Sequence, residues 1–215
     1  GDGESGIGNR HCRLGVPDPG GISRQSRDGV IRIASCSFVR ALKRIDLLLD
    51  ALIELAGRNP AQAIEWTHIG AGELWESLQR RAASDAPHNL ACRLVGNLDN
   101  DQVLQLYLSE PIDVFVNVSS SEGVPVSIME AQSCGIPVVA TAVGGTPEIV
   151  TSSVGKLLPV DPSPMDISSA ILEVIADQST AVDRRRASRD NWCTNYNATR
   201  NYDTFARSLR SLISQ

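Results

Sequence analysis

Two glutamates, Glu122 and Glu130, stand in the stretch SSSEGVPVSIMEAQSCGIPVVATAVGGTPEIV, Ser119 to Val150, with seven residues between them. An apolar run, IDVFVNV, precedes them and ends in a serine-rich corner; Gly123 and Pro125 follow Glu122. Proline is favoured at the first position of a helix, so the spacing predicts a helix opening at Pro125. The amides of Gly123, Val124, Val126 and Ser127 would then lack partners within the helix. Unpaired amides and the positive end of the helix dipole together favour an anion. Glu122 stands at the mouth of this helix and Glu130 about two turns in, so the two carboxylates can address two ends of one extended ligand. The plainer account makes Glu122 a partner of the dipole and Glu130 a solvated helix charge. One apolar run later comes AVGGTPEIV, where Gly144 and Gly145 precede another proline-bearing helix start. Two glycines there let backbone approach a ligand closely.

These residues need a frame, and the rest of the chain supplies one. Residues 1–28 carry seven glycines and two prolines with almost no apolar periodicity, which reads as a linker or lead-in. From Val30 onward, short apolar runs alternate with segments of helical spacing. VIRIASCS is followed by LKRIDLLLDALIELAG, IEWTHIG by ELWESLQRRAAS, and ACRLVG by NDQVLQLYLS. IDVFVNV precedes VPVSIMEAQSCG, and IPVVAT precedes GTPEIV. Five or six strands alternating with helices predict an α/β domain, a Rossmann-like doubly wound parallel sheet over 29–178. The runs are near-continuously apolar, as strands covered on both faces must be. Residues 179–215 read as a helical extension packed on that domain, with Trp192, Tyr196, Tyr202 and Phe205 as anchors. In an open parallel sheet, ligands bind beyond the carboxyl ends of the strands. The chemistry therefore belongs to the loops Ser35–Lys43, Gly70–Glu73, Gly96–Asp99, Ser119–Glu130 and Thr141–Thr146.

Composition narrows the field. The 215 residues are 42% hydrophobic and 21% charged, which is the make-up of a globular domain and not of a disordered chain. A net charge of −5 without a long Lys/Arg block argues against nucleic acid as the main partner. No apolar run approaches the ~20 residues of a membrane span, and the N-terminus lacks the apolar centre of a signal peptide. The five cysteines (Cys12, Cys36, Cys92, Cys134 and Cys193) are scattered and form no CxxC or Cys/His cluster. They read as reduced thiols of a cytoplasmic protein, with no metal site. Of the histidines, His68 falls inside a predicted strand and is expected in the core, whereas His11 and His88 lie in loops. Asn117–Val–Ser and Asn197–Ala–Thr match glycosylation sequons, read as chance in a chain without a secretory signal. The run VDRRRASR, 182–189, reads as a charged helix face, with a peripheral contact at the inner membrane surface as the alternative.

The ordered set of motifs resembles the donor-binding, C-terminal half of the retaining GT-B glycosyltransferases typified by the "glycosyl transferases group 1" domain. Beyond the Glu-x7-Glu segment, IASCSFVRALKRIDLLLDAL is similar to that family's first strand, Lys-bearing loop and helix. HIGAGELWESL is similar to its Gly-x-Gly turn, LVGNLDNDQVLQLY to its base-contacting strand end, and GKLLPVDPSP to its closing strand. WCTNYNATRNYDTF resembles its C-terminal crossover helix. The resemblance covers the chain from Val30 nearly to its end.

By that resemblance the chain takes part in moving a sugar from a nucleotide diphosphate sugar (UDP-, GDP- or ADP-linked) to an acceptor hydroxyl, without metal or other cofactor. Glu130 would hold the ribose hydroxyls and Glu122 the donor sugar. The amides of Gly123, Val124 and Val126 would hold sugar hydroxyls and phosphate, and Lys43 the diphosphate. Asn97 would lie near the base, mainly through its backbone, and Gly70 and Gly72 would keep a turn small enough for the nucleotide. The bland alternatives are a solvated Lys43 at a helix start and plain turn glycines at 70 and 72. Where many members place an Arg shortly before the Lys, this chain has Ser37, Phe38 and Val39, with only Arg40 near. The family's acceptor, a glycan or lipid-linked sugar, is bound by an N-terminal domain, and nothing before Val30 could form one. Two other functions stay open: a non-catalytic nucleotide-sugar-binding module, and a sugar-nucleotide epimerase of the same architecture.

Overall fold

The computed structural model describes residues 13–176 and 178–213. Six parallel strands form one sheet: β1 (Ile31–Cys36), β2 (Ile64–Ile69), β3 (Leu90–Gly96), β4 (Val114–Asn117), β5 (Val138–Thr141) and β6 (Gly155–Leu158). Their spatial order is β3-β2-β1-β4-β5-β6. The expected doubly wound α/β sheet is thus the fold observed. The chain works outward from β1 to β3, returns to the other side of β1 with β4, and works outward again. The carboxyl ends of β1 and β4 therefore flank the point where the winding reverses, the place where such sheets leave a crevice.

A helix follows each strand; after β1 the near-continuous apolar run gives way to apolar residues recurring at three and four residues. Those helices are α1 (Ile45–Arg58), α2 (Trp75–Asp85), α3 (Asn100–Ser109), α4 (Val126–Ser133), α5 (Thr146–Ile149) and α6 (Pro164–Ile175). On α1, Leu48, Leu49, Leu52, Leu55 and Ala56 are fully or almost fully buried and form one stripe. That stripe, with Ile167, Ile171 and Val174 of α6, builds a core on one face of the sheet. The opposite core gathers Val103 and Tyr107 of α3, Ile128 and Met129 of α4, and the other faces of β1, β4 and β5. All four residues of β4 and of β5 are buried. The helix after β4 opens one residue later than expected: Pro125 is the residue before it, in extended conformation, and α4 begins at Val126.

Two further helices complete the chain, α7 (Gln178–Asn195) and α8 (Ala198–Ile213). Trp192 and Tyr196 are buried in the second core, as their expected role as anchors requires. Tyr202 and Phe205 are exposed instead, and so is Leu209, so α8 shows solvent the apolar face that was expected to pack. Residues 13–28 contain no regular helix or strand, yet they are tied to the domain. Val16 is buried and exchanges backbone hydrogen bonds with Tyr196 and Ala198, and Ser23 donates its amide to Cys134. His11 and Cys12 lie outside the described residues.

Candidate functional site

The loop after β1 sets the geometry. A single 3-10 turn, Ala41–Lys43, leads into Arg44, whose backbone is left-handed at φ 51°. Such a conformation costs a non-glycine residue on the order of 1–3 kcal/mol, so surrounding contacts must hold it. The Arg44 guanidinium supplies them, donating to the carbonyls of Val118 at 2.7 Å, Ser119 at 3.1 Å and Val160 at 2.8 Å. It also pairs with Asp161 at 3.0 Å. Arg44 thus pins the β1 loop to the ends of β4 and β6. The same turn carries Lys43 toward the crevice, where its Nζ lies 2.6 Å from Glu122 Oε1.

Glu122 sits on the loop after β4 and is held by that strand's own end. Ser119 Oγ donates to Oε1 at 2.6 Å and Asn117 Nδ2 donates to the same oxygen at 3.2 Å. Ser119 is itself fixed, its amide bonded to Asn117 Oδ1 and its carbonyl accepting from Thr141 Oγ1. Burial raises the pKa of Glu122, but the hydrogen bonds from Lys43, Ser119 and Asn117, with the Lys43 charge, outweigh it and hold the group below its usual value. The carboxylate is ionised at neutral pH.

Glu130 behaves oppositely. It is 6% exposed on α4, among groups from three elements, which rules out the solvated helix charge that its position near a helix start suggested. Burial pushes its pKa up to about 7. The Cys36 thiol at the end of β1, itself raised to about 12 by burial, and the fully buried Tyr107 hydroxyl of α3 are its electrostatic neighbours. No side chain among the described residues donates a hydrogen bond to the Glu130 carboxylate. A buried carboxylate without internal donors keeps its full capacity to accept hydrogen bonds.

The glycines form the walls of the crevice. A Cβ on Gly144, where φ is 51°, would lie 1.8 Å from the Glu122 carbonyl oxygen, and one on Gly145 would lie 2.7 Å from that of Gly123. The β5 loop therefore packs backbone to backbone under the β4 loop, and Gly145 donates its amide to the Gly123 carbonyl. Over Gly123 itself the space is open, with nothing within 4 Å of a Cβ. Val124 and Val126 point their side chains to solvent. On the other flank, Gly70 and Gly72 were read as leaving room for a ligand, or as plain turn glycines. The room they leave is taken by protein: Cβ atoms there would lie 2.0 Å from the Ser37 carbonyl oxygen and 2.6 Å from that of Val39. Asn97 holds the same turn, its Oδ1 accepting the Ala71 amide at 2.8 Å.

The structure therefore brings Lys43, Glu122 and the Gly123–Val126 segment into one crevice, places Glu130 on the helix beneath, and sets Gly70, Gly72 and Asn97 to the side. Arg40 does not join them; its guanidinium stacks 4.9 Å from the Phe38 ring centroid. His68 is buried in β2, bonded through Nδ1 to Ser35 Oγ at 2.8 Å, and held neutral by burial with a pKa of about 4. Asn117 and Arg44 were given no part in the site by the sequence, and Ser119 and Thr141 entered only as the first residues of candidate loops. Asn117 registered only as part of a glycosylation sequon, although it is buried and bonded inward. Arg44 was masked by its neighbour Lys43, since nothing in the order of types tells which of two adjacent cations turns inward.

A family model described as "Glycosyl transferases group 1" matches residues 31–177. The amylovoran biosynthesis glycosyltransferase AmsK of Erwinia amylovora is 26% identical over 209 residues, which cover 93% of this chain and 50% of that protein. A GDP-mannose-dependent monoacylated alpha-(1-6)-phosphatidylinositol monomannoside mannosyltransferase of Corynebacterium glutamicum is 31% identical over 141 residues, 61% of this chain and 34% of that one. The chain thus spans half the length of the first of these relatives and about a third of the second. Among solved structures, Anabaena HepE in complex with UDP superposes with a TM-score of 0.71 at 20% identity, covering 85% of this chain and 49% of that one. The pneumococcal O-GlcNAc transferase GtfA, in complex with UDP and GlcNAc, gives 0.70 at 19% identity, with coverage of 91% and 38%. At such identities the likeness speaks for the fold.

Proposed function

The chain belongs to the glycosyl transferases group 1 family, and from that premise we propose that its crevice holds a nucleotide diphosphate sugar for transfer, with retention of configuration, to an acceptor hydroxyl. Lys43 and the amides of Gly123, Val124 and Val126 take the diphosphate and the hydroxyls of the sugar. Glu122 faces the sugar, and Glu130 receives the ribose hydroxyls. Asn97, Gly70 and Gly72 act indirectly, by fixing the turn beside the base. As the bond to the sugar breaks, charge builds on the leaving diphosphate, and Lys43 with the start of α4 stabilises it in place. The acceptor, a glycan or lipid-linked sugar, is bound by a second domain of the kind that the longer relatives have room for.

One observation carries this reading. Beyond the carboxyl ends of β1 and β4, a lysine and an ionised glutamate converge at 2.6 Å beside an open backbone segment that starts a helix. That arrangement is paired for a ligand with one anionic and one hydroxylated part. The neighbours named above were solved with UDP, and a relative is GDP-mannose-dependent by name, so both bases belong in the test.

The test is a thermal-shift screen of the chain against UDP-glucose, UDP-N-acetylglucosamine, GDP-mannose and ADP-glucose. A ligand at about 100 times its Kd adds ~2.7 kcal/mol of stability, an easily seen shift. At least one sugar nucleotide is expected to raise the melting temperature. If none does at millimolar concentration, the donor-site reading is wrong.

A further inference from the structure

Three donors converge on one oxygen of Glu122. Lys43 Nζ, Ser119 Oγ and Asn117 Nδ2 all bond to Oε1, at 2.6, 2.6 and 3.2 Å, while Oε2 accepts from no group among the described residues. One carboxylate oxygen is thus spent on the protein and the other is left over. Of the three donors, only Lys43 carries charge, and it reaches Glu122 from a different loop. Ser119 and Asn117 belong to the strand end that leads into Glu122 and are rigidly based: Asn117 and Ser119 bond to each other, and Thr141 and Arg44 hold the Ser119 carbonyl.

We infer that Ser119 and Asn117 are positioning residues that keep Glu122 oriented, with Oε2 free, when Lys43 leaves it for an incoming diphosphate. This rests on the proposed donor site and deepens it. Lys43 and Glu122, 2.6 Å apart, neutralise each other. A diphosphate carries more negative charge than a carboxylate and competes for the same ammonium, so its arrival draws Lys43 away. A largely desolvated carboxylate stripped of Lys43, its only cation among the described residues, would otherwise take up a proton or swing toward water. Two neutral donors already aimed at Oε1 remove that need. The carboxylate then stays ionised in one orientation and offers Oε2 to a hydroxyl of the sugar. Lys43 is in effect handed from protein to ligand, and the serine and asparagine make the exchange affordable without rebuilding the site.

The discriminating variants are Ser119→Ala and the near-isosteric Ser119→Cys, whose thiol is a weak donor. Isothermal titration follows UDP and the sugar nucleotide giving the largest thermal shift, for each single variant, for Glu122→Gln and for the double variant Ser119→Ala/Glu122→Gln. Loss of a hydrogen bond to a charged group is expected to weaken the sugar nucleotide about tenfold, with UDP affinity unchanged. The double variant is expected to match Glu122→Gln alone, since Ser119 acts only through that carboxylate. Wild-type affinity for the sugar nucleotide in both Ser119 variants, equal weakening of UDP and sugar nucleotide, or additive losses in the double variant would each overturn the inference. If Glu122→Gln itself leaves sugar-nucleotide affinity intact, the sugar-facing role of Glu122 has failed, and the inference falls with it. That outcome is distinct from the failure of Ser119 alone.

Discussion

At the scale of single residues, the β4 loop and the helix after it carry two carboxylates in opposite electrostatic states, and this separates their expected behaviour. Glu130 is raised by burial from 4.5 to about 7. A carboxyl whose pKa is higher in the folded than in the unfolded chain binds more protons when folded. Its contribution to stability is therefore full below about 4.5 and is lost as pH rises through about 7. Glu130→Gln keeps the shape without the charge, so it is expected to stabilise the chain at pH 8, by on the order of 1–3 kcal/mol, and to change little at pH 4. Melting curves at the two pH values check this; an unchanged melting temperature at pH 8 would mean the charge is compensated. The same variant is expected to bind every ribose-bearing ligand more weakly, so stability and binding move in opposite directions, as they do when a functional group is held at a cost. Lys43→Ala is expected to weaken UDP by about tenfold or more while leaving uridine unaffected, because a charge-assisted bond to phosphate has no counterpart in the nucleoside. Equal losses for both ligands would show Lys43 acting on the fold alone. Glu122→Gln releases Lys43, and UDP is expected to bind as well as to wild type or better.

The elements were legible where one period dominates. The strands IDVFVNV and IPVVAT are near-continuous apolar runs, and α1 repeats its leucines at three and four residues, so both kinds announce themselves. Alternation gave the parallel sheet but could not give the strand order, which depends on which way each crossover turns. The helix α4 was read less well. It is eight residues long, and all but its first two are buried, Glu130, Gln132 and Ser133 included, so polarity does not mark its outward side. On type and position alone, Glu130 left a solvated helix charge as the plainer account. The glycines show a related limit: Gly123, Gly144, Gly70 and Gly72 share a type, yet only three of them face backbone. Gly144→Ala is expected to cost on the order of 1–3 kcal/mol, from a left-handed φ and a Cβ 1.8 Å from the Glu122 carbonyl oxygen. Gly123→Ala, with open space around it, is expected to cost well under that and to act mainly on ligand affinity. Denaturant unfolding with and without ligand separates them. Equal losses of stability would contradict the packing of the two loops.

For the whole molecule, the division of labour between this domain and the rest of a transferase is open to measurement. The crevice beyond β1 and β4 is dense with fixed groups: Arg44 clamps three loops, Ser119 and Asn117 hold Glu122, and paired glycines wedge the walls together. An acceptor side would need a facing surface, and the chain spans half the length of AmsK or less of other relatives. The segment WCTNYNATRNYDTF, expected as a crossover helix, spans the end of α7 and the start of α8, and Tyr202, Phe205 and Leu209 of α8 are exposed along one face. Holding two reactants in register accounts for ~7–11 kcal/mol of an enzymatic barrier, and none of that is available to a donor bound alone. The 215-residue chain is therefore expected to be stabilised by its sugar nucleotide and yet to transfer no sugar to added glycan or alcohol acceptors. Release of nucleoside diphosphate, followed by a coupled assay with and without acceptor, reads this directly. Multiple turnovers at the ~1–10³ s⁻¹ of complete enzymes would show that this one domain carries acceptor recognition as well. Binding with turnover restored by a second polypeptide would instead place the missing energy in the facing half.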